Sequence, residues 1–317
     1  MHLGTILFNS HSTAVVLLED NVVLNIASAA SQISGNAGEV LRSGSLQSII
    51  ELGDSAVDTI RVLVAEAKSG KHTQARANLA DVTLLAPLPV PRKNVFCVGR
   101  NYAEHIAEGE RAQNKKIGVT DHPVYFTKPS TAVIGPHGKI PIFPDLSECM
   151  DYEVELTAVI GTAGRNIRRD QAHAHIFGYT ILNDITARDV QRRHGGQYFK
   201  GKALDGSCPL GPWIVTTDAI GDPQNLSISL TVNGEQRQNG NTSSMIFDIP
   251  TIIASLSEGL TLEAGDLVAT GTPSGVGHAM EPPQFLKHGD TVICTIENIG
   301  ELENTLCSIE ANDSPAS

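Results

Sequence analysis

Residues 150–161, MDYEVELTAVIG, decide the reading. Asp151, Glu153 and Glu155 alternate with Tyr152, Val154 and Leu156, and the run then turns almost wholly apolar. Alternation at period two predicts a β-strand, and its apolar end predicts a strand that runs into a core. Residues two apart on a strand share a face, so the carboxylates of Glu153 and Glu155 point the same way about one pleat apart. Two like charges held there are costly unless a cation lies between them. A divalent ion with oxygen ligands, such as Mg²⁺, Mn²⁺ or Ca²⁺, meets that need, and a solvated edge strand is the alternative.

Two further stretches add to this. In FGYTILNDITARDVQRRHGG (177–196), Asp184 closes an apolar strand-like run, a position from which a carboxylate reaches a ligand crevice. The same segment and its continuation hold Arg188, Gln191, Arg192, Arg193, His194, Lys200 and Lys202, a local basic cluster that predicts an anionic ligand. In VGRNYAEHIAEGE (98–110), His105 and Glu108 are three apart and share a helical face, which suits an imidazole oriented by a carboxylate for proton transfer. VATGTPSGVGHA (268–279) follows a strand and is rich in glycine, but no Gly-Lys-Ser/Thr follows, and it lacks the dinucleotide fingerprint. Its backbone N–H groups and the hydroxyls of Thr270 and Thr272 are candidates to hold a carboxylate. His173 and His175 form a discounted metal pair, since AHAHI reads as helix and residues two apart on a helix diverge. No G-x-S-x-G elbow occurs, which argues against a serine hydrolase.

The totals bound the class. With 317 residues, 41% hydrophobic, the chain can build a large core. A net charge of −12 argues against a nucleic-acid binder. No apolar stretch approaches the ~18 residues that span a bilayer, and no signal peptide is legible, so the reading is cytoplasmic without membrane contact. Five scattered cysteines without C-x-x-C predict reduced thiols. LGTILF, TAVVLLED and NVVLNIAS, residues 3–28, predict three strands of a small sheet, and DSAVDTIRVLVAEAKSG (54–70) predicts a capped helix. The proline-rich LLAPLPVPRKN (84–94) reads as a linker. The expected architecture is α+β and β-rich: a small N-terminal α/β domain (1–85), a strand-rich catalytic domain (86–310) and a flexible tail (311–317).

Seven stretches, in this order, carry a resemblance: CVGRNYAEH, FTKPSTAVIGP, DYEVELTAVIG, GYTILNDITARDVQ, GKALDGSCPLGP, VNGEQRQNGNTSSMIF and EAGDLVATGTPSGVG. Together they resemble the fumarylacetoacetate hydrolase (FAH) superfamily, in particular the branch with oxaloacetate decarboxylases and the FAH-domain-containing protein 2 type. The resemblance implies a roll of mixed β-sheets assembled as a homodimer. It also implies Mg²⁺ or Mn²⁺ on Glu153, Glu155 and Asp184, and a lid dyad of His105 and Glu108 beside a catalytic Lys202. Arg100, Lys128, Arg188, Gln191 and Thr272 match substrate-contacting or site-supporting positions. The implied partner is a small anionic 2-oxo acid. Its C3–C4 bond would break through an enolate held at the ion, by acylpyruvate-type hydrolysis or by decarboxylation of oxaloacetate. Isomerisation of hydroxymuconate-type dienoates, dehydration of sugar-derived 2-oxo acids and a non-catalytic binding protein are the alternatives. Asp151 matches no ligand position and is expected in the outer shell of the site.

Overall fold

A computed structural model describes residues 1–309 apart from Asp20, Lys115 and Ile117. The expected tail at 311–317 lies outside the described residues. The fold is mixed α/β and strand-rich, as the sequence predicts. Its spine is a long sheet. Across it run the strands Arg76–Asn78, Val22–Asn25, His11–Leu17, His2–Phe8, Cys208–Thr216, Ile176–Asn183, Val154–Ile160, Leu267–Ala269, Val95–Gly99 and Val124–Lys128. Most neighbours are antiparallel, whereas Leu267–Ala269 and Val95–Gly99 run parallel. A second sheet orders Glu235–Asn241, Ser227–Val232, Thr291–Ile296, Gly300–Ser308 and Lys139–Ile142.

The central strand explains its own sequence. Val154, Leu156, Ala158 and Ile160 face one core, which they share with Ile228, Leu230, Val292, Cys294 and Ile296 of the second sheet. Glu155, Thr157 and Val159 alternate to the other face. There Val159, with Leu182 and Ile214, packs in a core that also contains Ile49, Ile60 and Leu63 from the N-terminal helices. Both faces are covered, so the strand is buried along its length and cannot be a solvated edge.

Two expectations change at the N-terminus. The first strands do not close into a sheet of their own: His2 and Leu3 pair antiparallel with Val215 and Ile214 and extend the spine. The second core spans residues on both sides of position 85, so neither the sheet nor that core breaks there. The third apolar run also stops early. Its strand ends at Asn25, whose side chain accepts the Ser28 N–H and starts the short helix Ile26–Ala29. The helix Asp54–Lys68 forms, with Val57, Ile60 and Leu63 buried, each contributing about 1.5–3 kcal/mol, but its N-cap is Gly53 and the expected side-chain cap is not made. The helix Ile249–Leu256 has Pro250 in its first turn and is capped by Asp248. The segment Arg169–His175 is a 3₁₀ helix. All five cysteines are free, and among the described residues no helix is long and apolar enough to cross a membrane.

Candidate active site

Antiparallel pairing puts the start of one strand beside the end of its neighbour. Val154 stands opposite Asn183, so Glu153, Glu155 and Asp184 meet at one corner of the spine. Their nearest carboxylate oxygens lie within 4.8 Å of one another, and all three residues are at most 4% exposed. The Asn183 side chain accepts the Glu153 N–H at 3.1 Å, and the Asp184 N–H donates to the Glu153 carbonyl at 2.8 Å, which fixes the corner.

Cations converge on two of the three acids. Lys202, in the short helix Phe199–Lys202, donates to Glu153 Oε2 and Asp184 Oδ2, both at 2.6 Å. Arg188 donates to Glu153 Oε1 at 2.6 Å and to Asp151 Oδ2 at 2.8 Å. Burial alone would raise the Glu153 carboxyl, but Lys202 and Arg188 overcome it and hold the group well below its usual range. Burial would likewise depress Lys202, and Asp184 and Glu153 outweigh it and raise the ammonium. Glu155 is different. Among the described residues it has no cationic side chain bonded to it, and its Oε2 accepts the Gly271 N–H at 2.9 Å. Burial, then the charges of Asp184 and Glu153, push it well above the usual carboxylate range. This donor set fits a hard divalent cation: three clustered carboxylates, one of them short of positive charge.

A cavity of about 230 Å³ opens onto this corner. The predicted residues Glu153, Glu155, Arg188 and Lys202 line its floor, and Arg100, His105, Gln191 and Thr272 also line it. Glu108 backs His105 from the helix Ala103–Gln113: Nδ1 lies 2.8 Å from Glu108 Oε1. A carboxylate only accepts, so Nδ1 carries the proton and Nε2 is the basic nitrogen. Arg100 holds a left-handed backbone, φ 59°, uncommon for a long side chain, and its guanidinium lies 5.7 Å from the Tyr198 ring centre.

Lys128 does not line the cavity. It is fully buried, donating to Asp184 Oδ1 at 2.7 Å, to the Ile185 carbonyl at 3.1 Å and to the Lys202 carbonyl. Its place is behind the acid, where it braces Asp184 and the turn that carries Lys202. Thr270 is turned away as well, donating to the Leu156 carbonyl at 2.8 Å. The glycine-rich loop does hold carboxylates, and they are the protein's own: Gly271 N–H on Glu155, Gly275 N–H on Glu108 Oε2 at 2.8 Å, Gly277 N–H on Asp151 at 2.7 Å. A side chain at Gly277 would place its Cβ 2.0 Å from the Gln284 carbonyl and 2.8 Å from Asp151 Oδ1. His173 is exposed, and His175 bonds the Thr162 carbonyl, outside the cavity. Sequence reasoning missed Tyr198 and His278, both on the cavity wall. The histidine stood in a quoted motif, but its partner Asp151 is 127 residues away.

Comparison with known proteins agrees with this geometry. A family model, the C-terminal region of fumarylacetoacetate (FAA) hydrolase, matches residues 94–307. Oxaloacetate tautomerase YisK of Bacillus subtilis (strain 168) is 44% identical over 265 residues, 83% of this chain and 86% of that protein. A solved fumarylacetoacetate hydrolase from the psychrophile Exiguobacterium antarcticum superposes with a TM-score of 0.77 at 38% identity, covering 98% of this chain and 100% of the other. The solved 2-hydroxyhepta-2,4-diene-1,7-dioate isomerase of Mycobacterium marinum gives 0.71 at 31% identity, over 99% and 100%. Matches of this length, running through the acid corner and the helix Ala103–Gln113, establish that this chain is an enzyme of the fumarylacetoacetate hydrolase superfamily.

Proposed function

We propose that the enzyme moves a proton at C3 of oxaloacetate-type 2-oxo acids, interconverting enol and keto forms, with Mg²⁺ or Mn²⁺ held by Glu153, Glu155 and Asp184. The observation that carries this reading is the His105–Glu108 pair on the wall of a small cavity lined with cations. Its basic Nε2 is the group a proton shift beside a carbonyl requires. When bound, the cation would supply Lewis acidity that eases loss of the proton next to the 2-oxo group. His105 takes or returns the C3 proton. Glu108 holds the ring and stabilises the imidazolium that forms. Lys202 keeps positive charge near the oxygen on which negative charge develops. Arg100, Gln191 and Thr272 are placed to donate to the substrate's carboxylates. Arg188, committed to Asp151 and Glu153, holds the floor.

The relatives' names, a tautomerase and a diene-dioate isomerase, describe rearrangements without loss of carbon. They favour proton transfer over the bond cleavage expected from sequence. Cleavage of C3–C4 stays the second reading, because the same dyad can activate water and a fumarylacetoacetate hydrolase shares the fold. One experiment separates them. Enolic oxaloacetate is followed by NMR with Mg²⁺ and, separately, with a chelator. Metal-dependent conversion to the keto form without pyruvate supports the proposal. Metal-dependent pyruvate release moves the assignment to cleavage, and no acceleration of either rejects both. The homodimer and the cytoplasmic location belong to the same reading, and light scattering of the purified protein tests the first.

A further inference from the structure

Asp151 was expected only in the outer shell, and the structure gives it a specific employment. It is fully buried, and its oxygens accept from Arg188 Nε at 2.8 Å, from the N–H groups of Gly277 at 2.7 Å and His278 at 3.2 Å, and from His278 Nδ1 at 3.1 Å. Because a carboxylate only accepts, the His278 ring keeps its proton on Nδ1 and has its lone pair on Nε2. His278 lines the same cavity as His105, and among the described residues its Nε2 has no bonded partner. The site therefore has two imidazole–carboxylate pairs, one on the lid helix and one on the loop.

Around the cavity Arg100, Arg188, Gln191, Arg192 and Lys202 can donate, while Glu153, Glu155 and Nε2 of His105 accept. Donors recognise carboxylates. A free acceptor nitrogen among them recognises a hydroxyl, and of the two forms of an oxaloacetate-type acid only the enol carries one. Burial lowers His278 below the usual imidazole range, and its bond to Asp151 offsets this only in part, so the ring is suited to accept.

We infer that His278, oriented by Asp151, is a second catalytic side chain that takes the proton of the enol hydroxyl. This rests on the tautomerase reading above. Nε2 of His278 removes the O–H proton, and that electron pair becomes the second bond of the C2 carbonyl. The C2–C3 π pair then takes a proton from the Nε2–H of protonated His105 and forms the new C3–H bond. One proton leaves oxygen and one arrives at carbon. The two imidazoles exchange protonation states, and proton exchange with solvent resets them.

His278→Asn tests this, since its amide can occupy the place of Nδ1 and keep the bond to Asp151 while Nε2 is lost. His278→Gln serves as a second variant should the first fold poorly. The expected loss in enol-to-keto rate is about 10²- to 10⁴-fold with little change in KM. A second readout needs no turnover. Calorimetry with Mg²⁺ compares L-malate, which has a hydroxyl, with succinate, which has none. The ratio of malate to succinate affinity should fall about 5- to 10-fold in His278→Asn, the worth of one hydrogen bond. Unchanged rate with unchanged ratio would reduce His278 to a brace for Asp151 and Arg188 and overturn the inference, as would a lower rate with an unchanged ratio. If the wild type fails to convert the enol while the ratio still falls in the variant, the reaction assignment fails and the hydroxyl-binding role stands.

Discussion

Ion pairs occur in this molecule in two settings. On the N-terminal helix, Arg61 bridges Asp58 at 2.6 Å and Asp218 at 3.0 Å, with side chains 47–69% exposed. At the acid corner, Lys128, Lys202 and Arg188 pair with Asp184, Glu153 and Asp151 at 2.6–2.8 Å, with side chains 0–6% exposed. The distances are nearly the same, so distance is not what distinguishes them. Water screens the first set and replaces any partner that is removed. At the corner each charge depends on its neighbours, and among the described residues Glu155 has no cationic side chain bonded to it.

The contrast can be broken or sharpened by substitution, taken from the largest expected effect downward. Glu155→Gln keeps the shape and removes a carboxylate proposed to hold the metal. Activity should fall to background and the stabilising effect of Mg²⁺ should vanish, while stability without metal holds or improves because a repelled carboxylate is gone. Normal turnover in that variant would sink the metal assignment. His105→Ala should cost about 10²–10⁴ in kcat while leaving the melting response to Mg²⁺ intact, because the dyad stands beside the acids without belonging to them. Lys128→Met should destabilise the fold by about 3–5 kcal/mol in denaturant titration, since it leaves Asp184 buried without its brace. A loss below about 1 kcal/mol would mean that the corner relaxes like a surface. Saturating Mg²⁺ should stabilise the wild type by about 2.7 kcal/mol at a hundred times its Kd, seen as a rise of about 5 °C in melting temperature. Arg61→Met closes the series, with a change within about 0.5 kcal/mol.

What was legible in the sequence follows from the range of the interactions. Glu153 and Glu155 announced themselves because strand periodicity is local, and Asp184 because it ended a visible apolar run. The pairing of His105 with Glu108 was legible for the same reason, two residues three apart on one helical face. The pairing of His2 with Val215 was not, since no local pattern records which edge a first strand will join. Lys128 sat in a recognised motif, yet whether a lysine faces substrate or stands behind an acid depends on the path of segments 56 and 74 residues further on. Asp151 and His278 each looked ordinary alone, and only folding made them a pair.

The loop from Gly271 to Gly277 has a consequence for how such an enzyme can diversify. Three of its N–H groups hold carboxylates that come from two parts of the chain: Asp151 and Glu155 at the corner, and Glu108 on the helix Ala103–Gln113. Inserting or deleting one residue there would misalign all three at once, so loop length is closed to gradual change. The side chains displayed between the glycines are under no such constraint. Ser274 can be exchanged without moving the backbone, whereas His278, just beyond, is tied to Asp151, so variation on this scaffold is most accessible at positions like Ser274.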